Sequence, residues 1–374
     1  MRRIQQIAVA FLLFLVVPGT SGFTTEVEIR PFELLTRGRL VDDVFELQTV
    51  GDIGLTLRSG FLAQPSVTLG FESPGGFQPV NQADPTTTLD PELRSASVSV
   101  REVFGTDLSV SYFIGESDRL GSGQAFPQRF DTLPVATQFR GFRYFPDGPR
   151  YEGPYGVEGT GLSIHSNDRW NRTEISAYTY QDSRFEPGVF SSDLNLMLAY
   201  DTVQFEGFVG ATYPRGDFGR YRAGILANLV AAEGDSLLLQ AALPAIEPGD
   251  GETIGVEDFF FLFEPRVRIG VLRSAVTFFW RPDIYDQEPT DAGGTVDSNI
   301  RLQIGDTRTG PVAGGVETRL TVAPDGADQI SANATPFVQF DTGGVTWDFR
   351  TRLNVLQAGD EELFETFLGV RTEY

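Results

Sequence analysis

The sequence contains no cysteine, no lysine and a single histidine, His165. Without cysteine there is no disulfide framework, so a chain of 374 residues must be held by burial or by closure of a sheet. Without lysine, all 29 positive side chains are arginine, a bias of base composition before it is a mechanism. Arginine suits a polar channel wall, because its planar fork pairs rigidly with carboxylates and phosphates. Positive charge is also scarce in total. The formal net charge of −22 excludes the basic footprint that nucleic-acid binding needs. It fits acidic surface loops or plain solubility.

Long hydrophobic runs are missing after residue 22. The most apolar later stretch, Phe259-Phe260-Phe261-Leu262-Phe263, is far below the ~20 residues of a spanning helix. If the chain lives in a membrane it must do so as a closed barrel, since only helices and closed barrels satisfy the backbone there. The N-terminus is the exception. Arg2 and Arg3 precede the apolar run Ile7 to Val17, and Pro18-Gly19-Thr20-Ser21-Gly22 follows with small residues at a cleavage site. This is the layout of a signal peptide over residues 1–22, leaving 23–374 as one domain.

Alternation of period two fills that domain. Phe45, Leu47, Thr49, Gly51, Ile53, Leu55 and Leu57 share one face, against Glu46, Gln48, Asp52, Thr56 and Arg58. Leu108, Val110, Tyr112 and Ile114 repeat the pattern, as do Leu194 to Tyr200, Val203 to Ala211, Ile300 to Ile304, Val316 to Val322 and Val345 to Val355. Several runs match the ~9–11 residues of a tilted transmembrane strand better than the ~5–6 of a soluble sheet. Tight turns such as Tyr200-Asp201-Thr202 alternate with longer polar stretches such as 145–155 and 281–296, as short and long barrel connections do. The pattern predicts an all-β, transmembrane, antiparallel up-and-down β-barrel of about sixteen strands, with fourteen to eighteen allowed. Two irregular stretches, 73–91 and 121–134, read as loops, a plug or a constriction segment.

The chain closes with Phe364-Glu-Thr-Phe-Leu-Gly-Val-Arg-Thr-Glu-Tyr374, in which Phe364, Leu368 and Val370 share a face that leads to the terminal Tyr374. This resembles the last strand of bacterial outer-membrane porins and related barrels, although phenylalanine is their more usual final residue. The resemblance implies export to the bacterial outer membrane, contact with its lipid and recognition of the C-terminal strand by the barrel-assembly machinery. It implies no cofactor or metal and identifies no substrate.

With apolar faces toward lipid, the opposite faces line the lumen. From the C-terminal strands that set is Arg301, Glu317, Arg319, Asp348, Arg350, Arg352, Glu365 and Arg371, with Glu373 beside them. Cross-strand ion pairing and a charged constriction follow, the mechanism of a passive pore for small solutes. The alternatives are a non-conducting barrel that acts through its external loops, and a soluble exported β-sandwich. A further alternative is a hydrolase. Ile164-His165-Ser166-Asn167-Asp168 is similar to the His-x-Ser-Asn motif of outer-membrane phospholipases and lipid A deacylases. In a strand, however, Ser166 points away from His165. Ser163 and Asn167 share its face, which is the lumen face if Leu162 and Ile164 meet lipid. The chain is therefore expected not to be an enzyme.

Overall fold

The computed structural model describes residues 26–29, 32–41, 44–58, 63–72, 78–79, 90–130, 132–133, 135–139, 153–166, 172–213, 219–231, 234–248, 254–282, 294–307, 309–323, 330–356 and 364–372. The signal-peptide residues, Asn167, Glu373 and Tyr374 lie outside them. Within them, the alternating runs form one antiparallel sheet. Its barrel strands begin with β1 (Glu33–Val41), β2 (Val44–Arg58), β3 (Ala63–Glu72), β4 (Asp90–Val100), β5 (Leu108–Leu120) and β6 (Tyr155–Ser166). They continue with β7 (Thr173–Asp182), β8 (Phe190–Ala199), β9 (Val203–Tyr213), β10 (Arg220–Val230), β11 (Ser236–Ile246) and β12 (Phe260–Ile269). The last six are β13 (Leu272–Arg281), β14 (Thr295–Gly305), β15 (Val312–Val322), β16 (Ile330–Asp341), β17 (Val345–Leu356) and β18 (Phe364–Thr372). Two short segments, Glu26–Ile29 and Gln78–Pro79, add to the edges of β2.

Each strand pairs with its successor, and β18 returns to β1 with Leu34 opposite Val370 and Arg37 opposite Phe367. The sheet is closed, with eighteen barrel strands among the described residues, at the upper end of the expected range. The longest connections, 73–89, 121–154, 247–259 and 282–294, all leave from one end. The tight connections 200–202, 270–271 and 342–344 leave from the other, where β1 begins and β18 ends, whereas the two-residue step from β1 to β2 lies at the first end.

Side chains sort as the period of two requires. On β14 the outward Ile300, Leu302 and Ile304 are exposed, while Asp297, Asn299 and Arg301 are buried inside. On β9 Val209 is 54% exposed and the inward Glu206 only 2%. Exposed apolar side chains recur around the wall, from Leu40 and Phe45 through Leu162, Ile225 and Val276 to Phe349. An apolar outer belt around a closed sheet with a polar interior is a membrane-spanning structure. No helix among the described residues is long and apolar enough to cross a membrane.

Eighteen strands ~4.8 Å apart and tilted by roughly 40° close a wall about 35 Å across. The inner side chains form a layer about 5 Å deep, half the spacing of packed sheets, so wall residues alone leave the centre open.

Candidate functional site

Part of that centre is filled by the chain itself. After β5 the backbone turns inward at Gly121 and Gly123, with φ of 67° and 71°, a left-handed conformation that suits glycine. A Cβ on Gly123 would stand 2.4 Å from the Val135 carbonyl oxygen, so the return of the segment passes directly over the turn. Residues 121–130, 132–133 and 135–139 belong to an inserted segment that carries one short helix, α1 (Phe126–Phe130).

Its apolar side chains Phe126, Val135 and Phe139 pack on inward residues of one sector of the wall. These include Phe113 of β5, Tyr178 and Tyr180 of β7, Leu226 of β10 and Phe260 and Phe279 of β12 and β13. Phe139 lies 5.7 Å from Phe279 and Phe113 lies 5.9 Å from Tyr180, centroid to centroid, in tilted contact. The interior is therefore not uniformly polar, as strand alternation alone suggested. From β5 to β13 it holds a hydrophobic core.

Three buried wall carboxylates hold the polar backbone of the inserted segment. Glu206 of β9 accepts the Gly121 N–H at 2.7 Å and the Gly123 N–H at 3.1 Å. Glu174, the second residue of β7, accepts Arg129 of α1 at 2.9 Å. Glu264 of β12 accepts the Thr137 hydroxyl at 2.5 Å and the Gln138 N–H at 2.9 Å. It also accepts Thr277 at 2.5 Å and Arg266 at 2.7 Å. The N–H groups of Gly121, Gly123 and Gln138 thus find partners that offset their removal from water. Burial opposes the charge on Arg129, but Glu174, with smaller contributions from Tyr178, Asp118 and Glu206, outweighs it and raises the guanidinium above the ordinary arginine range.

The facing sector, β14 through β18 to β4, carries the charged residues expected from sequence. Arg301 pairs with Glu317 at 2.5 Å, and Arg350 reaches the same Glu317 at 3.2 Å and Asp348 at 2.6 Å. Arg319 pairs with Asp297 at 3.1 Å, Arg352 with Glu365, and Arg37 with Glu365 at 3.7 Å. Arg94 pairs with Asp52 at 2.9 Å. Arg371 is half-buried on the same face of β18 as Glu365. The guanidinium carbon of Arg301 lies 4.3 Å from the centre of the Phe337 ring, so this side chain lies along the wall. Arg301, Glu317, Arg319, Asp348, Arg350, Arg352 and Glu365 thus stand in ion pairs together with Arg37, Asp52, Arg94 and Asp297, which the sequence reading left out of the lumen set. Of the C-terminal residues, Leu368 is exposed on the outer face, with Phe364 and Val370 half-buried on the same side.

No protein-family model matches the chain, and no curated protein matches it in sequence. Solved structures do match in shape. A BenF-like porin from Pseudomonas fluorescens Pf-5 aligns with a TM-score of 0.56 at 9% identity, covering 94% of this chain and 99% of its own. The outer membrane protein opdK from Pseudomonas aeruginosa aligns at 0.53 and 11% identity, with 94% and 99% covered. The fold is that of the outer-membrane porins. Another barrel of this shape is Wzi of Escherichia coli, a carbohydrate-binding outer-membrane protein involved in capsule assembly, at 0.51 and 10% identity, with 99% and 88% covered. At such identities the likeness is one of fold, and residue roles in this porin-fold chain rest on its own geometry.

The histidine has a definite place in that geometry. His165 is buried on the inner face, while Leu162 and Ile164 are exposed outside. Its Nε2 lies 2.9 Å from Ser163 Oγ and its Nδ1 2.9 Å from Ser176 Oγ, which in turn donates to Glu174 Oε1 at 2.9 Å. The order serine, histidine, carboxylate looks like a nucleophile relay. Ser163, however, is 1% exposed and offers no surface to a substrate.

Proposed function

We propose that this protein is a passive channel for small solutes in the bacterial outer membrane, exported with a cleaved signal peptide over residues 1–22. One observation carries the reading. The inserted segment packs on the β5–β13 sector, whereas the opposite sector is an ion-paired wall, so that a barrel about 35 Å wide keeps a polar passage between them. Arg301, Arg319, Arg350 and Arg352 line that passage with their carboxylate partners. Because each is paired, the wall presents alternating charge and discriminates weakly between small ions. The acidic excess of the whole chain then sits largely outside the passage. The exposed Leu368 on β18 fits recognition of the last strand by the assembly machinery. The comparison barrels that are porins support the same reading.

A second reading is favoured by the match to Wzi: a barrel that binds a ligand at its surface and conducts little. Swelling of liposomes containing the folded protein separates the two. Influx of uncharged solutes that declines with solute size supports the channel. Solute-tight liposomes holding correctly folded protein would favour the surface-binding barrel.

A further inference from the structure

One of the contacts that hold the inserted segment stands beside an imidazole. Arg129 of α1, Ser176 and His165 all converge on a single oxygen, Oε1 of Glu174, at 2.9 Å, 2.9 Å and 3.6 Å. His165 is the one histidine in the chain. The hydroxyl chain also has a direction. Ser176 donates to Glu174, so Nδ1–H donates to Ser176; when the imidazole is neutral, Nε2 then accepts the Ser163 hydroxyl. The groups that face it are Ser163 on its own strand, Glu174, Ser176 and Tyr178 on β7, and Arg129 on α1. Asp118 of β5 stands behind, as acceptor of the Tyr178 hydroxyl at 2.5 Å, and Glu206 stands near Arg129.

A second proton would go on Nε2. It would force Ser163 from donor to acceptor and place a second cation beside Arg129 on one carboxylate oxygen. The two cations repel in a site with little water to screen them, and only Arg129 belongs to a part of the chain able to leave. We propose that protonation of His165 releases α1 from Glu174, so that acid loosens the middle of the inserted segment while Glu264 still holds Thr137 and Gln138. Through the channel reading above, on which this consequence alone rests, acid would widen or destabilise the passage.

Because the chain lacks cysteine, one introduced cysteine labels one place. Leu133 in the inserted segment is 71% exposed and accepts a spin label after Leu133→Cys. The measurement is label mobility in the folded protein between about pH 8 and pH 4, a range that reaches below the one in which an exposed histidine changes charge. The expected result is a mobile component that grows on acidification, is absent at every pH in His165→Gln, and is present at every pH in Glu174→Gln. Heat-modifiable migration on gels checks that each variant is folded. An unchanged label in acid, or the same acid response in His165→Gln, would overturn the proposal. Channel recordings of the same samples separate the two ideas: absence of current at any pH would defeat the channel while leaving the label result to decide the switch.

Discussion

Gln138 of the inserted segment donates its backbone N–H to Glu264 of β12 at 2.9 Å, across 126 positions of sequence. Glu264 is fully buried and also receives Thr137, Thr277 and Arg266. A carboxylate this deep is stable only because its oxygens are filled by donors, three of its partners (Thr137, Gln138 and Phe139) coming from the segment and two from the wall. The relationship therefore works both ways, since removing either side strands the other.

Replacing Glu264 with alanine is expected to destabilise the barrel by about 3–5 kcal/mol, the cost of breaking a buried charged pair and leaving Arg266 and the segment amides unanswered. The temperature at which the folded gel band converts to the unfolded one reports this loss. In membranes the same variant should show larger and noisier current steps than the parent.

Gly123→Ala tests the turn that sends the segment inward. The left-handed backbone costs an alanine roughly 1–2 kcal/mol, and the contact of 2.4 Å with the Val135 carbonyl adds to it. We expect a partly displaced segment, seen as protease cleavage within residues 121–139 under conditions where the parent is resistant.

Arg350→Ala removes the cation that Glu317 shares with Arg301 and leaves Asp348 without its closest partner. The wall becomes one unit more negative at that height. The reversal potential in a salt gradient should move toward cation selectivity, and Glu317→Gln should move it the opposite way.

Inner and outer faces should answer differently to substitution. Leu226→Ala cuts into the core beneath the inserted segment and should cost about 2–5 kcal/mol. Val209→Arg places a charge on the outer face of β9 and should cost about 2–4 kcal/mol in a bilayer. Moving the arginine toward a strand end should reduce that penalty, as measured by folding into lipid vesicles of known thickness.

The strand pattern was legible because lipid on one side and polar groups on the other impose alternation on β5 through β18. The N-terminal strands were harder to read. On β1 the outward face carries Thr36 and Gly38 beside Leu34 and Leu40, so apolar and polar positions blur. In β3, Pro65 and the register shift between Thr68 and Leu69 break the alternation. The eighteen barrel strands among the described residues fall within the expected fourteen to eighteen. For the charged residues of β14 to β18, alternation gives the face they share, while the neighbours they meet across the sheet depend on register. The anchors Glu174, Glu206 and Glu264 were not. An inward glutamate reads the same whether it meets water, an arginine or a folded-in backbone more than eighty residues away, as Glu206 does. Gly121 and Gly123 just beyond a strand end were the available signal.

The central claim is that a passage remains between the inserted segment and the ion-paired wall. Single-channel recording of the folded protein in a planar bilayer tests it most directly. The account predicts stable stepwise currents whose ion selectivity shifts in Arg350→Ala and Arg352→Ala. Folded, membrane-inserted protein that passes no current would contradict it, leaving a closed barrel whose work is done at its surface.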